Sequence, residues 1–289
     1  MMDDFNFEAV CAFAIFADRL NFTHAADDLH ISQPALFVKI QDLARIVGVP
    51  LYTKVGRQLQ LTEAGRQLAR FGRELRERKA AVLSELRGQK DEQPVILAAG
   101  EGAFLYLLGP AITAFKSITD QPLSLLTLNR EGVIDAIQSG RAHLGVAAFD
   151  SIPSQCQSAL LCKVDQVLVM PDGNKIARKR VVSLSDLDGA SLVVPSADRP
   201  HRQLISAHLQ SAGISWRVAV EANGWQLMLH FVKLGLGYAI VNSNCAIPEG
   251  LIAKKLTGLP QIHYSLIWRA GGVTSLAQRQ LRECLLQNA

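Results

Sequence analysis

Cysteine is scarce in this sequence and badly placed for cross-linking. The five thiols, Cys11, Cys156, Cys162, Cys245 and Cys284, are odd in number, far apart and without a CxxC pair. That pattern argues against a disulfide framework and suits a reducing compartment. No apolar run approaches the roughly 20 residues that span a bilayer, and the opening MMDDFNF lacks the basic-then-apolar layout of a secretory signal. The seven histidines, at positions 24, 30, 143, 201, 208, 230 and 263, show no metal-ligand spacing. No GxSxG nucleophile elbow occurs, and no repeat or low-complexity segment is visible. The expectation is a cytoplasmic globular protein without membrane partner, metal or cofactor, and not an enzyme.

Hydrophobic residues at 49% and charged residues at 19% allow a large buried core, and 289 residues suit two or three compact units. The net charge of +4 hides an uneven distribution. Residues 1–32 hold one Arg against six acids, whereas residues 33–90 hold twelve Lys/Arg against five acids. The positive charge begins at Gln33, where a helical pattern also begins, which points to a polyanionic partner.

Phe5, Val10, Phe13, Ile15, Phe16 and Leu20 recur at mostly helical spacing, and Thr23 can cap a short helix reaching Leu29. Ser32 is a good N-cap for the next, with Pro34 in the first turn where a missing N–H costs little. Leu36, Ile40 and Leu43 then share an inward face. Two short segments, Leu51–Lys54 and Gln58–Leu61, read as a hairpin around Gly56. Thr62 caps a long helix from about Glu63 to Arg87, whose narrow stripe of Leu68, Phe71, Leu75, Val82 and Leu86 has the form of a helix-pairing seam. The polar QKDEQP at 89–94 reads as a hinge.

Two short helices with a tight turn, the second polar at its start, have the form of a helix-turn-helix that enters the major groove N-terminus first. Gln33, Phe37, Val38, Lys39 and Gln41 are then available on the outside. Gln33 suits adenine and Phe37 suits a thymine methyl, while the Ser32 and Thr23 hydroxyls suit phosphate oxygens. Lys54 and Arg57 at the hairpin tip would act as a wing on the duplex.

Taken with NFTHAADDLHISQPALFVKIQDL and GVPLYTKVGRQLQLTEAG, the chain resembles the LysR-type transcriptional regulators over nearly its whole length. The resemblance implies a winged helix-turn-helix at 1–62, a dimerising linker helix at 63–88, a hinge at 89–93 and an α/β effector domain at 94–289. That last domain would be periplasmic-binding-protein-like, with lobe I at about 94–162 and 266–289 and lobe II at about 163–265. It further implies homodimers or homotetramers on a partly palindromic duplex, a small-molecule effector, and RNA polymerase as a further partner. Carried across by position, the DNA contacts fall on Thr23, Ser32, Gln33, Pro34, Phe37, Val38, Lys54, Arg57 and Thr62. Phe37 and Val38 stand where the family commonly has Ser then Arg, and Ala44 stands at a usually acidic position.

From Val95 onward, strand-like runs (VILAAG, LSLLTL, HLGVAAF, VLVMP, SLVVP, YAIVN, YSLIW) alternate with helical segments, which predicts largely parallel sheets. A ligand in such a domain sits beyond the carboxyl ends of the strands. This selects Gly100, Glu101, Gly102, Ala103, Phe104, Arg130, Phe149, Ser196, His201, Asn223, Trp225 and Asn242. Glu101, beside a loop where the family often has a small hydroxyl residue, argues against a simple monocarboxylate effector. Two other readings compete. GEGAFL at Gly100–Leu105 mimics a dinucleotide fingerprint for an NAD(P)-binding oxidoreductase, but the third glycine is Leu105 and Glu131 lies too far on. A redox switch at Cys156 and Cys162 is the second, although only Lys163 supplies a nearby positive charge.

Overall fold

The computed structural model describes residues 5–87, 93–271 and 275–288; of the hinge expected at 89–93, all but Gln93 lies outside them. The first unit comprises α1 (Phe7–Arg19), α2 (Phe22–Asp28), α3 (Gln33–Val47), an antiparallel hairpin of β1 (Tyr52–Val55) and β2 (Gln58–Leu61), and α4 (Glu63–Leu86). Asn6 opens α1 by accepting from the Glu8 and Ala9 amides. Val10, Phe13 and Phe16 of α1 meet Leu36, Ile40 and Leu43 of α3 and Leu51 in one fully buried core. Each such side chain contributes about 1.5–3 kcal/mol by leaving water.

The long helix α4 packs along α1 by means of small residues. A Cβ on Gly72 would stand 2.6 Å from the Val10 carbonyl oxygen and 2.9 Å from Ala14 Cβ, so only glycine permits this approach. The expected apolar stripe is therefore divided. Leu68 packs half-buried on its own domain, while Phe71, Val82 and Leu86 remain exposed. Arg73, on the face toward α1, is 8% exposed. Its Nε and Nη2 donate to Asp18 at 3.0 and 2.6 Å, and its Nη1 donates to the Ser139 carbonyl oxygen in the second half of the chain. Glu74 pairs with Arg269, and Glu77 lies 3.1 Å from His143 Nε2. The linker helix thus rests on the effector domain through polar contacts.

That domain begins with β3 (Val95–Ala99), α5 (Glu101–Tyr106), α6 (Gly109–Ile118), β4 (Leu123–Thr127), α7 (Arg130–Gln138), β5 (Leu144–Ala148) and β6 (Cys156–Val164). The chain then crosses to β7 (Gln166–Pro171), β8 (Val182–Ser183), β9 (Ala190–Val194), α8 (Pro200–Ser211), β10 (Trp216–Glu221), α9 (Trp225–Lys233), β11 (Ala239–Asn242) and β12 (Leu251–Thr257). It returns through β13 (Ile262–Arg269) to α10 (Leu276–Asn288). Lobe I is built on the sheet β4-β3-β5-β13-β6. Lobe II is built on β11-β7-β12-β8, to which the β9–β10 pair is joined through Tyr238.

Two expectations change. The sheets are mixed, because the strands entered after each crossover, β7 and β13, run antiparallel to their neighbours. Ile262–Ser265, expected in lobe II, lies in lobe I, because β13 pairs with β6 along its whole length. The two crossings lie side by side: Gln166 Nε2 donates to the Pro260 carbonyl at 2.9 Å, and Gln261 Nε2 donates to Asp165 at 2.8 Å.

Candidate nucleic-acid interface and effector cleft

In the N-terminal unit, His30 takes a left-handed φ of 53° and lets α3 start at once. Ser32 Oγ accepts from the Ala35 amide at 3.3 Å, as an N-cap does, and Pro34 sits in the first turn. The cap of α2 is Asn21 rather than Thr23, since its carboxamide reaches the Thr23 and His24 amides. Thr23 instead donates from Oγ1 to Gln33 Oε1 at 3.1 Å, joining the two helices, and Gln33 itself is exposed.

Burial of Leu36, Ile40 and Leu43 sets the opposite face of α3 toward solvent, where Val38 is 58% exposed. Phe37, 45% exposed, rests on Phe22 with ring centroids 5.5 Å apart, and Phe22 in turn stacks on Phe16 at 4.3 Å. Gln41 donates to the Tyr52 hydroxyl at 3.0 Å. Lys39 lies on the flank nearest α1, 3.1 Å from Glu8. Lys54 and Arg57 are exposed on the hairpin, whose turn uses Gly56 at φ 61°. The Thr62 hydroxyl is engaged within the unit, donating to the Pro50 carbonyl at 2.7 Å and accepting from Gly65 at 3.0 Å.

Between the lobes, the loop after β3 meets the loop after β10. A Cβ on Gly102 would lie 2.6 Å from Trp225 Nε1, so the indole of lobe II covers the first turn of α5 in lobe I. Glu101 reaches toward Gly224, whose φ of 94° turns the chain into α9. Ser196 donates from both its amide and its hydroxyl to Asn223 Oδ1, at 3.2 and 3.0 Å, which ties the two lips of lobe II together. His201 Nε2 lies 3.0 Å from Gln166 Oε1, and its ring meets Trp225 edge to face at 4.8 Å. Burial lowers the His201 pKa to about 4, so it is neutral near pH 7. Asn242 Nδ2 donates across the lobes to the Tyr264 hydroxyl at 3.0 Å.

Not every expected residue joins this group. Ala103 and Phe104 turn into the lobe I core because α5 is helical there, and Phe149 packs partly into the cluster around Val133 and Ile137. Arg130 is held by Asp150 and by Glu131, the latter at 3.2 Å. Gln166 and Tyr264 were missed by sequence reasoning. A polar residue heading the apolar run VLVMP was the one available signal for Gln166.

The competing readings lose their geometry. Trp225 covers the glycine loop where a pyrophosphate would need open backbone, and α5 has only six residues. Cys156 and Cys162 are six positions apart on β6, about 20 Å at strand rise, and a disulfide requires Cα atoms within about 7 Å. Burial raises both thiol pKa values. Among the described residues, no cluster of His, Cys, Asp and Glu has the makings of a metal site, and no helix is long and apolar enough to cross a membrane.

A winged helix-turn-helix joined by a long helix to a two-lobed α/β domain defines a DNA-binding transcriptional regulator with an effector domain. The chain belongs to the LysR family: residues 88–289 match the LysR substrate binding domain and residues 7–66 the bacterial regulatory helix-turn-helix of the lysR family. It is similar to the RuBisCO operon transcriptional regulator of Allochromatium vinosum, at 25% identity over 96% of this chain and 94% of that protein. It is also similar to the Hca operon transcriptional activator HcaR of Escherichia coli, at 24% identity over 90% of each. Among solved structures, a full-length OxyR variant from Pseudomonas aeruginosa superposes with a TM-score of 0.76 at 18% identity over 99% of both chains. CbnR complexed with its target DNA gives a TM-score of 0.58 at 20% identity, over 98% of this chain and 99% of that one.

Proposed function

We propose that α3 reads the major groove, with Gln33, Pro34, Phe37, Val38 and Gln41 toward the bases, while Ser32 and the exposed Lys54 and Arg57 hold phosphates. The observation that carries this reading is the split character of α3: one face fully buried, the other presenting Phe37 and Val38 to solvent, with Gln33 exposed at its start. Gln33 Oε1 keeps a second lone pair beside the bond from Thr23, so bidentate pairing with adenine is open to it as it stands. Lys39, held by Glu8, serves the flank of the duplex, and Thr62 acts by positioning the wing.

The exposed strip Phe71, Val82 and Leu86 on α4 is the surface for a second copy, with Phe7 beside Phe71 at 6.5 Å. Two-fold pairing of this kind calls for a partly palindromic site in the cytoplasm, read by a dimer or a pair of dimers that contacts RNA polymerase. The effector sits between the lobes against Gly100–Gly102, Ser196, His201, Asn223, Trp225 and Asn242. Fluorescence anisotropy on the protein's own upstream region against random duplex, at low salt, tests the DNA reading. Preference for the upstream fragment is expected, relaxed at one base pair by Gln33→Ala. Equal binding to both duplexes would overturn it.

A further inference from the structure

Two buried side chains between the lobes, His201 and Asn242, each present an acceptor atom in need of a donor. Gln166 donates from Nε2 to Pro260, so its Oε1 faces His201 Nε2, and that nitrogen must carry the proton. His201 Nδ1 is then an acceptor, and it is buried without a partner among the described residues. Asn242 uses its Nδ2 on Tyr264, which leaves its Oδ1 as a second buried acceptor without a partner among the described residues. Glu101, at the mouth opposite Gly224, supplies a carboxylate with no ion pair among the described residues.

Of the cations nearby, Arg130 is flanked by Asp150 and Glu131. Arg202 Nη1 has no partner among the described residues, but its guanidinium lies 4.2 Å over Trp216, the first residue of β10, at the end remote from the strand tips. Buried acceptors left without donors are costly, so a site of this kind favours a ligand that brings N–H groups. Trp225 supplies an aromatic face for a ring or for the cation itself.

We propose that the effector of this regulator is a ring-bearing amine, its nitrogen donating to Glu101 and to the acceptors on His201 and Asn242, its ring against Trp225. This rests on the reading that the cleft is the effector site. The test is calorimetry of the full-length protein with three ligands alike except at one end: 2-phenylethylamine, 2-phenylethanol and phenylacetate. The amine is expected to bind at least tenfold more tightly than the acid. Glu101→Gln, at an exposed position, should remove most of that advantage, and Trp225→Phe should weaken all three. Phenylacetate binding as tightly as the amine, with loss on Trp225→Phe, overturns the amine class and leaves the cleft standing. An amine preference unchanged in Glu101→Gln also overturns the proposal. Binding of none of the three, or binding indifferent to Trp225→Phe, overturns both the class and the cleft.

Discussion

Replacing Arg73 with alanine is the perturbation from which most can be learned. Its guanidinium is 8% exposed and donates to Asp18 of the DNA-binding unit and to the Ser139 carbonyl that ends α7 in the effector domain. Breaking one side of a fully buried ion pair costs about 3–5 kcal/mol. The Asp18 side chain is 37% exposed, so water recovers part of that loss, and a figure near the ~1.5–3 kcal/mol of a single charged hydrogen bond applies. We expect about 2–3 kcal/mol for Arg73→Ala, and roughly half for Arg73→Lys, which keeps the charge and loses the fork. Urea unfolding followed by circular dichroism gives the number, and a cycle with Asp18→Asn isolates the pair. Coupling of about 1 kcal/mol or more is expected between the two changes. A loss for Arg73→Ala within the ~0.5 kcal/mol typical of surface sites, or strict additivity with Asp18→Asn, would refute the reasoning.

Further outcomes follow from other sites. Arg57→Ala should weaken binding to every duplex alike and lower the salt slope by about one, as measured by anisotropy against log salt. Gly102→Ala should force the Trp225 indole away at a cost of about 1–3 kcal/mol; in a Trp216→Phe, Trp268→Phe background the emission of Trp225 should shift, and an unchanged spectrum would count against the contact. Unfolding restores His201 to its ordinary pKa of 6.5 from about 4, so the unfolded chain binds more protons between those values. Stability should therefore decline as pH falls from about 6.5 toward 4, less so in His201→Gln, and pH-dependent melting of the two proteins decides this. Burial pushes the Cys245 thiol up to about 12, so at pH 8 iodoacetamide should leave it unmodified in the folded protein by mass spectrometry.

The sequence made α3 readable because every signal there is local: a cap, a proline in the first turn, and three apolar residues at helical spacing. Strands whose partners cover both faces were readable for the same reason. By contrast β6, β10 and β12 escaped notice, since runs such as LIAKKLT mix charges with apolar residues and owe their extended form to neighbours far along the chain. Thr23 and Asn21 are both good caps by type, and only the backbone chose between them. Arg73 is one of several basic residues on α4, and nothing local marks it as the buried one. The loops at the strand ends were legible, but Gln166 and Tyr264 come together with His201 and Asn242 only through the crossing strands.

Gln166 is a carboxamide with two occupations. Its nitrogen fastens one crossing of the chain to the other at Pro260, and its oxygen holds the imidazole that faces Trp225. One crossing of the chain and the imidazole beside Trp225 thus depend on the same side chain. A change at His201 would be felt at Pro260, just before β13, the strand whose far end carries Arg269, the partner of Glu74 on α4.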